Sequence, residues 1–494
     1  MTRLMKDELF EAQLLRAMGY APYGGADAGE CLAVAGEITG TSLDSWHDAW
    51  VAAATRLCGQ AEASAAAGQA ANARSGFFRA ANYFRTAGLF AMGAPAGPRL
   101  VEAHRREVDS FRRGAALLAV PPELVQIPYE DSFLPGYYFR ATADVAPRAT
   151  MILVTGYDGT AEELYFTNGA AALERGYNVL AFDGPGQGTM LIDRGVPLRP
   201  DWEKVITPVV DYLLARPDVD PEQIVLAGLS LGGYLAPRAA TAEHRLAACI
   251  SDCGPYDVSG AAARRLPAFL ARQLPDGNPV LLRLLGRLVR SVMHKPTAGW
   301  AMRRNLLAHG LNGPLEYFKI APQYSLKGIE HLIQCPTFVC SAEDDDLSTD
   351  ARKLYDALTC PKRYYQFTSA EGAGQHCESG ARTLFHQHAF DWLGEVLNPP
   401  RKPGPRCRPT VLRAADPAPP LPVHATPGKK EQPCLRHTST AAPQPKPSPA
   451  SKDLTRSPGT TRPASPPPSA PCSPASSSVT PACSRAFTPA TRTG

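Results

Sequence analysis

The amino-acid sequence predicts an α/β fold, in which a mostly parallel sheet carries helices on both faces and follows a helical N-terminal domain. Two observations support this prediction. Downstream of residue 120, short apolar or aromatic runs alternate with helical stretches, which is the pattern of a parallel sheet wrapped by helices. One of these runs, Ile224 to Ala227, leads into the turn Gly228-Leu229-Ser230-Leu231-Gly232 and then into a helix.

Residues 1–120 are predicted to form the helical domain. The segments SWHDAWVAAATRLCGQAEASAAAG and RSGFFRAANYFRTAGLFAM are rich in alanine and repeat apolar residues every three or four positions. A Gly-Ala-Pro break follows within residues 93–97, and Ala-Val-Pro-Pro at 119–122 ends the helical part. Such helices can pack within one chain or between two chains, so a homodimer is an open alternative.

Residues 121–397 are predicted to form the catalytic domain, whose strands are short and mostly separated by helices. The first two strand runs are joined by a short turn region, which predicts an antiparallel hairpin at one edge of the sheet. Active sites of open α/β sheets lie at the carboxyl ends of the strands. The predicted strands are LVQIPY, LPGYYFRA, ATMILVTG, NVLAFDG, IVLAGLS, AACISD, TFVCSA and YYQFTS.

The alternation of strands and helices stops between residues 255 and 332, which predicts a helical cap insertion. Within it, the segment PVLLRLLGRLVRSVM at 279–293 is amphipathic, with Arg283, Arg287 and Arg290 on one face and leucines on the other. A helix of this kind could lie on a membrane surface. We expect instead that it belongs to a cap over the active site.

The charge of the chain is distributed unevenly. The formal net charge of the 494 residues is +4, but residues 398–494 carry 14 basic and 3 acidic residues, whereas the first 397 carry 37 and 44. The 398–494 tail also holds 24 of the 48 prolines and only one aromatic residue, Phe487. It cannot bury enough apolar surface to fold, so we expect it to be disordered. Its scattered charges and lack of stacking residues predict no nucleic-acid partner.

The sequence also lacks features of secreted and membrane proteins. Its first residues, MTRLMKDELFEAQLLRAMGYA, mix charged with apolar residues, and no run approaches the ~18 apolar residues of a membrane span. The 12 cysteines are dispersed, as expected for free thiols in the cytoplasm. Zinc binding by His331, Cys335 and Cys340 is an alternative, but the two cysteines bracket an apolar strand run and no C-x-x-C pair exists. We therefore expect no metal and no membrane partner.

The turn around Ser230 predicts a nucleophile. Gly228 and Gly232 let the strand and the helix pass closely, while Ser230 takes a strained backbone conformation that lifts its hydroxyl clear of the sheet. A glycine-rich turn that merely contains serine is the alternative. Because a serine alkoxide is not available at neutral pH, catalysis requires a base and an acid that orients the base.

His376 and Asp345 are predicted to supply that base and that acid. His376 lies in the glycine-rich loop SAEGAGQHCESG after the last strand, whereas His386 and His388 belong to the helix that follows. In the chain order serine, aspartate, histidine, the run CPTFVCSAEDDDLS offers the acid just beyond a strand. We assign Asp345 to this role, with Asp344 as the next candidate.

Two backbone N–H groups are predicted to form the oxyanion hole, one from Leu231 and one from Tyr157 in the loop after ILVTG. Nearby, DGPGQG at 183–188 superficially resembles a dinucleotide-binding loop. However, the strand before it is not the first of a βαβ unit, and no acidic residue stands at the distance that this motif requires. We interpret DGPGQG as a tight turn in the wall of the site, and we predict no cofactor.

Seven segments between roughly residues 75 and 397 carry a family resemblance: FFRAANYFRTAGLF, LPGYYFR, GYDGTAEELYF, RGYNVLAFDGPGQG, GLSLGGY, CPTFVCSAEDD and GAGQHCESG. Together they resemble the α/β-hydrolase superfamily. The resemblance is closest to a branch with a helical N-terminal domain, which includes 2,6-dihydroxypseudooxynicotine hydrolase and the fungal polyketide-shortening hydrolases of the yellowish-green pigment type. The residues after Pro400 have no counterpart in that branch.

The resemblance implies hydrolysis of a carbon–carbon bond next to a ketone, with Ser230, Asp345 and His376 as the triad. The pyridine-degrading relative uses an additional glutamate after the sixth strand, which the matching segment SGAAARRLP lacks. A diketone, a polyketide or another bulky carbonyl compound is therefore the expected substrate. Glu162 and Glu163 could bind that substrate, or their carboxylates could cap the helix that starts there.

Other functions use the same residues. A carboxylesterase needs the same triad, and an acyltransferase differs only in excluding water from the acyl-enzyme. A hydrolase fold that has lost catalysis and serves as a binding scaffold is the alternative from a different class. It would leave three competent triad residues without a role.

Overall fold

An eight-stranded sheet lies at the centre of the described part of the chain, which comprises residues 4–259 and 279–398 of a computed structural model. The strands are β1 (Glu123–Tyr129), β2 (Ser132–Phe139), β3 (Arg148–Val154), β4 (Asn178–Phe182), β5 (Val219–Leu229), β6 (Ala248–Asp252), β7 (Thr337–Ala342) and β8 (Lys362–Phe367). Their order in the sheet is β1-β2-β4-β3-β5-β6-β7-β8. Only the β1–β2 and β2–β4 pairs are antiparallel, and all the others are parallel. The predicted sheet and its antiparallel edge hairpin are confirmed.

The burial of the strands explains their apolar sequence patterns. All residues of β4, β6 and β7 are buried, as expected for strands covered on both faces, so their sequences are nearly continuous apolar runs. By contrast, β1 lies at the sheet edge and alternates exposed with buried residues over its second half. Successive residues point to opposite faces, so Ile152 of β3 joins one apolar cluster and its neighbour Leu153 joins another.

Five α-helices precede the sheet, which confirms the helical N-terminal region. They are α1 (Glu8–Met18), α2 (Ala28–Glu37), α3 (Leu43–Ala66), α4 (Ala70–Gly88) and α5 (Pro98–Ala115). The side chain of Asp7 caps the start of α1, and that of Ser42 caps the start of α3. An aromatic cluster that includes Phe10, Trp46 and Phe90 forms the centre of this region.

Helices cover both faces of the sheet, as predicted. One apolar cluster holds α9, α10 and α14 against the face that carries Ile152, and the other holds α7 and α15 against the face that carries Leu153. A single π-helical turn, Tyr165–Gly169, joins α6 to α7. These helices are α6 (Ala161–Leu164), α7 (Ala170–Glu174), α8 (Gly188–Ile192), α9 (Glu203–Leu214), α10 (Gly232–Ala240), α14 (Ala351–Ala357) and α15 (Arg382–Leu397).

Between β6 and β7, the described residues form three further helices: α11 (Pro279–Met293), α12 (Pro296–Ala308) and α13 (Pro314–Ile320). The predicted amphipathic helix is α11, and its three arginines are exposed. On α12, the indole of Trp300 donates a 2.9 Å hydrogen bond to the Leu89 carbonyl and packs in the aromatic cluster of the N-terminal region. Residues 260–278 of the predicted cap, and the predicted tail from residue 399 onward, lie outside the described residues.

Candidate active site

Ser230 stands on the sharp turn between β5 and α10, at the carboxyl end of a central strand. Its φ is 63°, a left-handed backbone conformation that a non-glycine residue rarely adopts. The two flanking glycines make this turn sterically feasible. A β-carbon on Gly232 would lie 2.5 Å from the Val154 carbonyl oxygen, and one on Gly228 would collide with the Gly232 carbonyl. The strained turn that the sequence predicts is therefore present.

The structure brings the three predicted triad residues together. The Oγ of Ser230 lies 2.9 Å from Nε2 of His376, and Nδ1 of His376 lies 2.8 Å from Oδ2 of Asp345. The second oxygen of Asp345 accepts the Leu347 N–H at 2.9 Å, which fixes the carboxylate. Asp345 is buried, whereas Asp344 is exposed and its carboxylate bonds to the Ser369 hydroxyl at 2.5 Å. Of these two acids, only Asp345 contacts the histidine in the described structure.

The electrostatic surroundings of His376 favour its protonated form. Partial removal of water would by itself lower the pKa of His376, but the Asp345 carboxylate and the neighbouring Cys377 outweigh that effect. The pKa of His376 therefore lies well above its ordinary value. A histidine with a raised pKa stabilises the imidazolium that forms when it accepts a proton from a nucleophile.

The histidine loop is anchored by a buried ion network that the sequence analysis missed. Cys377 and Glu378 both have positive φ, 50° and 49°, which requires support from surrounding residues. Arg382 at the start of α15 gives this support, because its guanidinium donates to the Cys377 carbonyl at 3.0 Å, to the Glu378 carboxylate at 2.9 Å and to Asp252 at 2.6 Å. These residues lie on β6, the histidine loop and α15, and nothing in their sequence patterns indicates that they meet.

The loop after β3 lies directly against Ser230. A β-carbon on Gly156 would lie 2.8 Å from the backbone nitrogen of Leu231 and 2.9 Å from the Oγ of Ser230. Leu231 is the N-cap of α10, so its N–H precedes the first turn of that helix. The structure therefore places both segments that the sequence predicts to form the oxyanion hole, the Leu231 turn and the loop that contains Tyr157, beside Ser230.

Helices from two distant parts of the chain fix this loop from outside. Asp158 accepts hydrogen bonds from Arg16 of α1 at 2.9 Å and from Arg304 of α12 at 2.6 Å. Burial opposes its ionisation, but the two guanidinium groups prevail and lower the pKa of Asp158. The hydroxyl of Tyr157 lies 3.0 Å from Nε2 of His309, and burial together with Arg304 lowers the pKa of His309 to about 3. His309 is therefore neutral at physiological pH.

Glu162 and Glu163 lie in the first turn of α6, where the sequence analysis considered either substrate binding or helix capping. Both carboxylates are buried and engaged by protein groups. Tyr137 donates to Glu162 at 2.6 Å, while Glu163 accepts bonds from Tyr20 at 2.6 Å and from Arg16 at 2.7 Å. Neither glutamate is among the described residues that line the cavity at Ser230. Their positions are those of structural carboxylates at a helix start, and they do not support the predicted binding role.

A cavity of about 450 Å³, including its opening to solvent, adjoins Ser230 and His376. Its wall combines the loop after β3 and the histidine loop with the end of α1. Arg16 of α1 and the two residues that follow the helix by one and two positions, Gly19 and Tyr20, lie in this wall, and none of them is predicted from the sequence. A cation on an amphipathic helix is typical of a solvated surface, so the sequence carried no signal for this contact.

The segment DGPGQG forms a tight turn beside the loop after β3. The Asp183 carboxylate accepts the N–H groups of Ala161 and Thr189, both at 2.8 Å, and the side chain of Gln187 donates to the Thr155 carbonyl at 2.6 Å. Burial and the nearby Glu162 carboxylate raise the pKa of Asp183 to about 7. The hydrogen bonds of Asp183 and Gln187 thus hold the turn against the neighbouring loop after β3, and the turn supports the wall of the site.

The alternative zinc site is not assembled in the part of the chain that the structure describes. His331, Cys335 and Cys340 do not come together as a cluster there. The Sγ of Cys340 instead faces the Asp252 carboxylate at 3.6 Å. Across the same residues, no helix combines the length and apolar character needed to cross a membrane.

Comparisons with known proteins agree with this architecture. Residues 151–392 match the model of the Alpha/beta hydrolase family. Hydrolase acrC of Aspergillus aculeatus is 34% identical over 427 residues, which cover 80% of this chain and 98% of the relative. The 20-hydroxy-prefusarin hydrolase FUS2 of Gibberella moniliformis is 34% identical over 423 residues, with coverage of 80% and 98%. The crystal structure of 2,6-dihydroxy-pseudo-oxynicotine hydrolase shares the fold, with a TM-score of 0.60, 22% identity and coverage of 77% and 95%.

Proposed function

The chain belongs to the alpha/beta hydrolase family, and on that premise we propose that it is a serine hydrolase that cleaves a carbon–carbon bond next to a ketone. The proposed substrate is a diketone or a polyketide-like carbonyl compound. The observation that carries the proposal is the hydrogen-bonded series of Ser230, His376 and Asp345, with spacings of 2.9 and 2.8 Å. A nucleophile, a base and an acid that orients the base are the minimum set for acyl transfer.

In the first step, Ser230 attacks the substrate carbonyl while Nε2 of His376 accepts the hydroxyl proton. Asp345 holds Nδ1 and stabilises the imidazolium that forms. Negative charge develops on the carbonyl oxygen, where the N–H groups of Leu231 and Tyr157 are proposed to donate. A donor of this type contributes about 3 kcal/mol to the transition state.

In the second step, the tetrahedral intermediate collapses and its carbon–carbon bond breaks. The electron pair of that bond leaves as an enolate, which is stabilised because the departing carbon lies next to a second carbonyl group. The imidazolium of His376 returns its proton to the enolate carbon. Water, deprotonated by the same histidine, then releases the acyl group from Ser230. Only the protonation of carbon distinguishes this sequence from ester hydrolysis.

Two observations support a ketide-like substrate. The segments quoted in the sequence analysis resemble the fungal polyketide-shortening hydrolases, and one relative with 34% identity is named a 20-hydroxy-prefusarin hydrolase. A carboxylesterase or an acyltransferase would use the same residues, and these are the functions that the experiment must separate.

Turnover of paired substrates tests the proposal. A p-nitrophenyl ester and an aryl 1,3-diketone are incubated with the wild-type protein and with Ser230→Ala, and the products are identified by mass spectrometry. The expected result is diketone cleavage that exceeds ester cleavage and is lost in Ser230→Ala. Ester turnover alone would favour the esterase, and turnover that appears only with an added thiol or alcohol would favour the acyltransferase. Failure of a fluorophosphonate to label Ser230 would overturn the nucleophile assignment.

A further inference from the structure

Two cysteine thiols meet the catalytic histidine candidate at the base of the cavity. The Sγ atoms of Cys253 and Cys377 and a ring nitrogen of His376 all lie within 4.8 Å of one another. Cys253 follows β6 and is fully buried, whereas Cys377 follows His376 and lines the cavity at Ser230. The two cysteines are 124 positions apart in the sequence, so the fold alone brings them together.

The spacing of these atoms suits a small thiophilic cation. With Zn–S bonds near 2.3 Å and Zn–N bonds near 2.0 Å, neighbouring ligand atoms of a tetrahedral zinc site are about 3.5–3.8 Å apart. The Sγ of Cys377 already lies 3.4 Å from Nε2 of His376. The remaining separations, all below 4.8 Å, require only side-chain adjustment.

The surroundings orient and prepare these ligands. Asp345 binds Nδ1 of His376 at 2.8 Å, so the neutral imidazole carries its lone pair on Nε2, as in the carboxylate–histidine–metal arrangement of zinc proteins. The cavity gives access to Cys377, to His376 and to a fourth position beside Ser230.

A neighbouring cluster shows the contrast. Asp252, Cys340 and Glu378 also lie within 4.8 Å of one another. However, the guanidinium of Arg382 already donates to both carboxylates, at 2.6 and 2.9 Å, and supplies the positive charge there. The thiol of Cys253 instead donates to the Ser230 carbonyl at 3.5 Å, and that of Cys377 lies 3.4 Å from Nε2 of His376. The cluster of Cys253, Cys377 and His376 therefore has donor atoms suited to a cation.

We propose that Cys253, Cys377 and Nε2 of His376 form a binding site for Zn²⁺ and similar thiophilic divalent cations, and that the bound cation inhibits the enzyme. The cation occupies the lone pair of Nε2 that would otherwise accept the Ser230 proton. Two thiols and an imidazole prefer such cations over Mg²⁺ or Ca²⁺, which take oxygen ligands. The inhibition rests on the proposed role of His376 as the base, whereas the binding does not.

Cobalt binding tests the site without any substrate. Co²⁺ is added to the full-length Ser230→Ala protein, in which all three ligands remain, and the thiolate-to-cobalt charge-transfer band is recorded in the near ultraviolet. We expect the band to be displaced by Zn²⁺. Cys253→Ser and Cys377→Ser should each weaken binding by more than about tenfold, and Asp345→Asn by about 10- to 100-fold through loss of its support for His376. Circular dichroism verifies that each variant is folded.

The matched control is Cys58→Ser, which removes a half-buried thiol of α3 that bonds to Ser110. It should leave the cobalt affinity and the band intensity unchanged, because Cys58 is not one of the proposed ligands and the variant keeps Cys253 and Cys377. A band of equal intensity in Cys253→Ser and Cys377→Ser would overturn the site, as would the absence of a thiolate band in the Ser230→Ala protein. Metal binding at this site without inhibition of the wild type would overturn the inhibitory role. Because cobalt binding is measured without substrate, the binding result does not depend on whether the proposed hydrolase function is correct.

Discussion

Gly156→Ala should inactivate the enzyme by adding one methyl group beside the nucleophile. Gly156 does not have a positive φ, so its backbone conformation is open to alanine. The space is the constraint. The new β-carbon would lie 2.8 Å from the Leu231 nitrogen and 2.9 Å from both Cβ and Oγ of Ser230. Because non-bonded contacts to carbon are optimal near 3.5 Å, the loop or the nucleophile must move by about 0.6 Å.

The magnitude of the effect follows from this displacement. Overpacking of a tight site costs about 1–3 kcal/mol of the free energy of unfolding, which a domain of ordinary stability tolerates. Loss of one oxyanion donor raises the activation free energy by about 3 kcal/mol, or roughly 10²-fold in rate. We therefore expect kcat/KM to fall at least about 100-fold in a protein that still folds.

The assay compares Gly156→Ala with Gly36→Ala, the same change on α2 at a position where a β-carbon would meet nothing within 4 Å. Alanine at Gly36 should leave turnover unchanged and stabilise the helix by up to about 1 kcal/mol. Turnover, fluorophosphonate labelling and urea denaturation are measured for both. If Gly156→Ala kept turnover within about threefold of wild type, the prediction that catalysis requires the close approach of this loop to Ser230 would be wrong.

Three further predictions concern the acids and the base. Asp345→Asn should lower kcat by about 10⁴-fold because an amide favours the wrong tautomer of His376, whereas Asp344→Asn should stay within about twofold; equal losses in steady-state assays would refute the assignment. The rate should rise with pH and reach half its maximum well above 6.5, since His376 acts as a base only when neutral and Asp345 raises its pKa; a pH–rate profile with a midpoint at or below 6.5 would contradict this. Arg304→Met should lower the free energy of unfolding by about 1–3 kcal/mol because the Asp158 carboxylate loses a buried charged hydrogen bond; urea denaturation measures this, and an unchanged midpoint would count against it.

The catalytic core could be predicted because its signals are local in the sequence. Strands that are covered on both faces must be short apolar runs, and each predicted run contributes one of the eight strands. The turn at Ser230 is specified by glycines two positions to either side, because a β-carbon on Gly228 would meet the Gly232 carbonyl and one on Gly232 would meet the Val154 carbonyl oxygen. His376 and Asp345 follow strands in the chain order of this fold, so their meeting at Ser230 could be anticipated.

The residues that complete the site could not be predicted, because their partners are distant in sequence. Arg16 lies 142 residues from Asp158, and Arg304 lies 146 residues from it. From its sequence context alone, each arginine would be interpreted as a surface charge on an amphipathic helix. Glu163 shows the reverse: a polar residue in a motif near the site reads as a ligand, yet in the fold its carboxylate is neutralised by Arg16. The proximity of the Cys253 thiol to His376 and Cys377 likewise follows only from the fold, since Cys253 lies more than 120 positions away in the sequence.

These contacts also explain why the helical region and the α/β core are best regarded as one functional unit. Residues 75–397, which carry the segments of family resemblance, include the triad but not α1. Without α1, the Asp158 carboxylate would lose Arg16, Glu163 would lose both Arg16 and Tyr20, and the cavity would lose the wall that these residues form. Each carboxylate would keep one guanidinium, Arg304 at Asp158 and Arg85 at Glu163. The loss of a charged hydrogen bond at a buried carboxylate still costs about 1.5–3 kcal/mol. The loop that carries Tyr157 would bear that cost, so the geometry of the proposed oxyanion hole depends on a helix that contributes no group to the proposed chemistry.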